Sequence, residues 1–356
     1  MSLTTEGVAA PSGHRPARLT ARWLVAGVVT AVVAALAGLA IGPVPINPLG
    51  GAAELLNLIP GVDIHSGLTP QETAIVTRLR LPRVALGLLV GAMLALAGGC
   101  YQGVFRNPLA DPYLLGVAAG AGLGATVAVT ADAVFSPTVL PLFAFLGALL
   151  AVALTYALGA AGGGRVRTPT TLILAGVAVA AFLTAIQTYL QQRDVDAIRE
   201  VYSWLLGRLA PSGWHEAQLL LPYAIVAGGV MLAHRRQLDV LSLGDDEAAS
   251  LGVQPRRVRY LVVVAASLGT AAAVAVSGLI GFVGIIVPHT VWLLAGTTYR
   301  VILPLSALFG GAFLTLADLA ARTVLSPSEI PLGVVTAFLG APFFILVLRT
   351  ATRVGL

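Results

Sequence analysis

The stretch Arg235–Arg259 reads RRQLDVLSLGDDEAASLGVQPRRVR and is the most charged piece of an otherwise apolar chain. Arginine pairs stand near both ends, and the acidic triplet Asp245-Asp246-Glu247 sits in the middle. Carboxylates favour a helix N-terminus, where the macrodipole is positive. Gly252 stands where such a helix would stop, with Val253 beyond it as the apolar C-terminal contact. The pattern predicts one short helix over Asp245 to Leu251 on the wet side of a membrane. Its exposed face would carry Asp246, Glu247 and Ser250, while Ala248 and Leu251 are apolar. Hydrophobic spans flank the stretch, roughly 216–232 before it and 260–288 after it. A membrane protein has use for such a helix when something soluble must push on it. A solvated loop with some helix is the plainer reading of the same residues.

Composition fixes the class. The chain is 57% hydrophobic and 10% charged, with a mean hydropathy of +0.91. A soluble domain carries about 25% charged residues, so this chain belongs in a bilayer. Its 40 glycines suit close packing of membrane helices. The single cysteine, Cys100, lies in an apolar span and excludes a disulfide framework. No lysine occurs; all 21 basic residues are arginine. A phosphate-binding loop of the Gly-Lys-Ser/Thr kind and a Schiff-base lysine are therefore both excluded. No catalytic triad or paired-carboxylate site is apparent, so the chain reads as neither an enzyme nor the owner of a nucleotide-hydrolysing site.

Taken in order, residues 1–22 form a polar, arginine-bearing cytoplasmic tail, and 23–356 form one polytopic domain. Trp23 to Gly42 is uncharged and long enough to span; it exceeds the apolar core of a cleaved signal peptide and reads as a retained first helix. A proline-rich external segment follows, with a short interfacial helix at about 52–58. The second span runs to about Val104 and holds Gly87 and Gly91 at GxxxG spacing. Gln102–Val117, QGVFRNPLADPYLLGV, is a tight turn. Arg106 sits at a helix C-terminus, Asn107-Pro108 stops that helix, Asp111 caps the next, and Pro112 takes its first position.

Further spans are expected at about 113–130, 137–160 and 169–190, the last preceded by the loop 162–167 and the cap Thr168. An external connection with a short helix covers 191–215, and the sixth span leads into the opening stretch. The seventh runs to about Ser277. Gly278, Gly281, Gly284 and Pro288 then predict a bend and a short eighth helix, followed by spans nine and ten at about 301–325 and 331–347.

With both termini inside, the cytoplasmic segments carry fourteen arginines and the external ones seven. That bias obeys the positive-inside rule and places the acidic helix in the cytoplasm.

Five segments in this order, RLRLPRVALGLLVGAMLALAG, QGVFRNPLADPYLLGV, LSLGDDEAASLGV, SGLIGFVGIIVPH and IPLGVVTAFLGAPFF, resemble the permease subunits of importers for ferric siderophores, haem and cobalamin. This is the FecCD family of type II ATP-binding-cassette importers, and the match covers about 78–349. The resemblance implies an all-α integral membrane protein of about ten transmembrane helices, with no cofactor of its own. It implies a homodimer or a pseudo-dimer with a related permease in the cell membrane, two ATPase subunits and an extracytoplasmic substrate-binding protein. Nucleic acid has no place in it. The family's coupling segment matches Leu243, Gly244, Asp245, Asp246, Glu247, Ala248, Leu251 and Gly252, inside the wider cytoplasmic stretch 235–257. The family's external arginines, which meet acidic residues on the binding protein, match Arg80, Arg83 and Arg322. Arg80 and Arg83 are three apart and would share a helix face; anchoring at the lipid interface is their alternative role.

Other residues have plainer uses. His289 is a lone histidine, whereas metal ligands come in clusters. Asp318 lies inside span nine, with Arg322 one turn on to pair with it rather than to serve a proton relay. Thr184, Gln187 and Thr188 either line the path or hydrogen-bond between helices. An ion-coupled secondary transporter would need more buried ionisable groups than Asp318, and a non-transporting scaffold gives no reason for an acidic helix inside and arginines outside. For cargo the expectation is a ferric siderophore, with cobalamin and haem as alternatives.

Overall fold

A computed structural model describes residues 19–57, 61–131, 138–161, 169–209 and 213–354. Most of the tail 1–22, the loop 162–167 and the cap Thr168 lie outside the described residues. The described chain is helical throughout: α1 Ala21–Ala40, α2 Pro48–Leu56, α3 Pro70–Ile75, a π-turn Val76–Arg80, α4 Leu81–Phe105, a 3-10 turn Pro112–Leu115, α5 Val117–Thr130, α6 Val139–Ala161, α7 Pro169–Arg193, α8 Val195–Leu205, α9 His215–Ala233, α10 Arg235–Leu241, α11 Asp245–Ser250, α12 Pro255–Ser277, α13 Val283–Ala295, α14 Tyr299–Thr323 and α15 Leu332–Val354. Seven stretches are long and apolar enough to cross a membrane, and α5, α13 and α15 add three shorter apolar ones. Each of the ten expected spans thus has an apolar helix among the described residues, seven of them of full span length.

Burial separates the helices into two shells. Of the most apolar window in each, 78% is buried in the stretch containing α4, 72% in α12 and 67% in α14. The figures are 22% in α1, 28% in α6 and 33% in α7. So α4, α12 and α14 form the inside. The outer helices turn residues such as Val25, Val29, Leu146 and Phe182 outward, which suits lipid and would not suit water.

Glycine sets the closest approaches. A Cβ added at Gly91 would land on the carbonyl of Gly310 in α14, and one added at Gly310 would land on the carbonyl of Gly91. Gly98 meets the carbonyl of Gly284 in α13 in the same way, and Gly120 of α5 and Gly147 of α6 repeat the reciprocal contact. These are backbone-to-backbone contacts that only a missing side chain permits.

The bend after Ser277 occurs where the glycines predict it. Gly278 (φ 70°) and Phe282 (φ 69°) both have positive φ, a real cost for the bulky side chain of Phe282. Tyr113 helps to hold the bend. Its hydroxyl donates to the carbonyl of Ile280 (2.9 Å) and accepts from the N–H of the same residue (3.1 Å). The strip Leu206–Arg208 knits three elements together. Arg208 N–H donates to Ser277 O at 2.8 Å, and Leu332 and Gly333 donate to Gly207 O and Leu206 O, each at 3.0 Å.

One chemical change at two glycines tests this packing. Gly98→Ala should lower stability by about 1–3 kcal/mol, the usual cost of overpacking, because its methyl meets backbone. Gly229→Ala in α9, with nothing within 4 Å of the added carbon, should be neutral or stabilising. Thermal midpoints of the detergent-solubilised variants would decide it; equal shifts would mean that the α4–α13 contact is looser than described.

Candidate functional site

At one end of the bundle, α11 forms as the acidic triplet predicts. Asp245, Asp246 and Glu247 fill its first turn. Gly244 (φ 137°) stands at the N-cap, and the Glu247 carboxylate folds back over it, into the space a side chain there would need. The helix stops in a full Schellman motif: Gly252 (φ 79°) donates to Ala249 O at 3.0 Å and Val253 to Ala248 O at 3.0 Å.

Of the residues expected on the contact face, one is turned inward and one is tied down while its side chain stays 45% exposed. Ala248 is fully buried. Asp245 is clamped between Arg106, the left-handed C-cap of α4, and Arg259 on α12, whose Nη1 reaches it at 2.8 Å. The hydrogen bond from Arg259, with the charge of both arginines, holds the Asp245 carboxyl below its ordinary range. The clamp is therefore complete above the ordinary carboxylate pKa and is lost only as pH falls through the lowered value. Leu243, Asp246, Glu247, Ser250, Leu251 and Gly252 remain exposed. The sequence reading missed α10. Its Asp239 accepts from Tyr299 N–H and from Arg300 Nε, the latter at 2.8 Å, and so ties it to the start of α14.

The neighbouring turn keeps the expected chemistry with one difference. Asn107 Oδ1 accepts from Leu109 N–H at 2.9 Å, and Asp111 Oδ1 accepts from Tyr113 N–H at 2.7 Å with Pro112 at the first position. The capped element is a single 3-10 turn, which Gly116 (φ 81°) separates from α5, while α4 ends at Phe105 with Arg106 as its cap, as expected.

The three arginines at the opposite end do different jobs. Arg80 and Arg322 are both only 5% exposed, which overturns the expectation of an exposed arginine face. The physical reason is the end of α1, whose last carbonyls have no helical partner. Arg80 Nη1 donates to Leu39 O (2.6 Å) and Ala40 O (3.0 Å), and its Nη2 donates to Val44 O. Arg322 Nη2 donates to Gly38 O. A cation at a helix C-terminus also meets the negative end of the dipole.

Arg83 is the arginine left near the surface. Its Nε and Nη2 hold Asp318 at 2.9–3.1 Å, and its Nη1 and Nη2 hold Glu329 at 2.8 and 2.9 Å. The expected Asp318–Arg322 pair is present at 3.8 Å, but Arg83 is the tighter partner. Glu329 and this long-range pairing were beyond the sequence, because the residues lie 235 and 246 positions apart.

On α7, Thr184 and Thr188 lie on the exposed face, and Thr188 Oγ1 donates to Thr184 O at 2.9 Å. Gln187 does not join them: it is buried against α5, with its Oε1 over Gly122. His289 is stacked on Trp292 and meets Phe343 edge-on; among the described residues no cluster of His, Cys, Asp and Glu could hold a metal.

Residues 26–350 match the FecCD transport family. The cobalamin import system permease protein BtuC of Halobacterium salinarum is 44% identical over 307 residues, covering 86% of this chain and 82% of that protein. The hemin transport system permease protein HmuU of Yersinia pestis is 39% identical, covering 76% and 82%. A solved structure of a metal-chelate type ABC transporter in an inward-facing conformation superposes with a TM-score of 0.81 at 30% identity, covering 93% of this chain and all of that one. With the family match spanning nearly the whole described bundle and the architecture shared with a solved transporter, the chain belongs to the FecCD transport family.

Proposed function

We propose that this chain is the membrane-spanning permease of an ATP-driven importer, with the α11 end in the cytoplasm and the Arg83 end outside. The observation that carries the reading is the pairing of two unlike contact surfaces on one FecCD bundle. At one end α11 presents Leu243, Asp246, Glu247, Ser250 and Leu251. At the other, Arg83 sits in a cleft with Glu329. A chain without lysine has no phosphate-binding loop of the Gly-Lys-Ser/Thr kind, so in this reading a separate ATPase supplies the energy, and α11 is the surface that fits one: acids for its basic residues, leucines for an apolar groove. The outer end would receive a binding protein.

Two such permeases, identical or related, would enclose the path. The apolar cavity of about 720 Å³ bordered by Phe282, Phe338 and Leu206 and the exposed Thr184 and Thr188 suit that face.

The clamp on Asp245 gives the coupling a route. A push on α11 is passed through Asp245 to Arg106 at the end of α4 and to Arg259 on α12, the two most buried helices. For cargo we propose a metal chelate, first a ferric siderophore. Cobalamin is the second reading, favoured by the 44% identity to a cobalamin permease.

Uptake of radiolabelled ferric siderophore, cobalamin and haem into ATP-loaded proteoliposomes holding the complete complex tests the reading; ATP-independent transport of all three would remove it. Glu247→Arg should cut ATP-driven uptake about tenfold or more, equivalent to ~1.4 kcal/mol of lost docking, while the permease still inserts and purifies. Asp245→Ala should instead leave the ATPase bound and lower uptake per ATP hydrolysed. Normal coupling in that variant would show that the clamp transmits nothing.

A further inference from the structure

The cleft at the Arg83 end has a volume of about 220 Å³, and its wall includes Arg83, Ser203, Arg208, Asp318 and Glu329. Its two acids are not equivalent. Asp318 lies on α14 with its side chain 5% exposed, held by Arg83 and Arg322. Glu329 lies on the turn between α14 and α15 with its side chain 47% exposed. The backbone of that turn is pinned, since Ile330 N–H donates to Ala321 O at 2.9 Å, so Glu329 can swing away without the turn moving.

Arg83 has little left to offer. A guanidinium carries five N–H groups in a fixed fork. One edge is spent on Asp318 and the adjoining edge on Glu329, each held through two nitrogens. A further carboxylate can be held in the same two-pronged way only where one of these now sits. Arg208, in the wall of the same cleft, is exposed and has no carboxylate partner among the described residues. Its backbone is fixed by the bond to Ser277 O.

We propose that Glu329 is a built-in occupant of a carboxylate-binding site on Arg83, and that the binding protein docks by exchanging one of its own carboxylate side chains for Glu329, with Arg208 receiving the displaced charge. The proposal rests on the outer end being the docking face. At Arg83 the exchange replaces one ion pair by another and only the Glu329–Arg208 pair is gained, so docking is made reversible: the internal competitor sets a ceiling on affinity and re-pairs with Arg83 as the partner leaves.

The test is the affinity of the cargo-free binding protein that supports uptake by this permease, measured on the nanodisc-reconstituted complex at low and high salt. Glu329→Gln should tighten docking about two- to fivefold at low salt, the factor that an exposed ion pair represents, and less at 1 M salt. Arg208→Ala should weaken it, because the displaced Glu329 then has no counter-ion. In an Arg83→Ala background, Glu329→Gln should have no effect, since competitor and site would be removed together. If Arg83→Ala weakens docking but Glu329→Gln leaves it unchanged or weaker, the exchange is wrong and the docking face stands. Arg83→Glu with unchanged affinity would sink both. Glu329→Gln acting on labelled cargo bound to the permease alone, and not on the binding protein, would place the incoming carboxylate on the cargo and overturn the proposal. Unaltered thermal midpoints for Glu329→Gln and Arg208→Ala are expected and keep the comparison fair.

Discussion

Apolar helices gain nothing from leaving lipid for one another, so in a bilayer they hold together by dispersion at short range and by hydrogen bonds. In this chain that constraint comes down to how closely α4 can lie against α14 and α13. Gly91 faces Gly310 and Gly98 faces Gly284, backbone on backbone. The same helix carries Arg83 in its first turn and is capped by Arg106 at its end. The geometry at both ends of the molecule is therefore fixed by the glycines between them, and an error of a side chain's width along α4 would separate Arg83 from Asp318 and Arg106 from Asp245.

The buried charges follow a consistent logic. A guanidinium in an apolar surrounding must find acceptors for its fixed fork of donors. Arg80 and Arg322 find them in the unpaired carbonyls of α1, and Arg83 finds two carboxylates. Lysine has three donors, but they radiate from a single nitrogen and could not hold two acids edge-on in one plane as Arg83 does. The complete absence of lysine agrees with these demands at the outer end.

Much of the fold was legible because hydropathy and turn chemistry are local. The ten spans, the bend after Ser277 and the Gly252 stop all rest on residues adjacent in the chain. What was not legible depends on distance. Nothing in the run RLRLPR says that Arg80 will turn to α1 while Arg83 faces α14; the π-turn at Val76–Arg80 and the position of α1 decide it. Ala248 reads as an apolar contact for a partner until the packing of α11 on the bundle buries it. Asp245 reads as a surface acid until Arg106, 139 residues earlier, closes on it. In each case a residue type with two sensible uses was assigned by tertiary neighbours.

The bond from Arg322 to Gly38 O spans 284 residues, and this has a bearing on how the chain is made. Helices leave the insertion machinery one after another, and α1 leaves first with its final carbonyls uncovered. Arg80 reaches them soon afterwards, but Arg322 arrives only with the second-to-last span. Until then the first helix has to wait at the edge of the growing bundle, loosely tethered by α4. Synthesis of α14 closes the seam between α1 and the rest of the bundle, and a chain stopped short of it would present an open seam in the lipid that membrane proteases are suited to find.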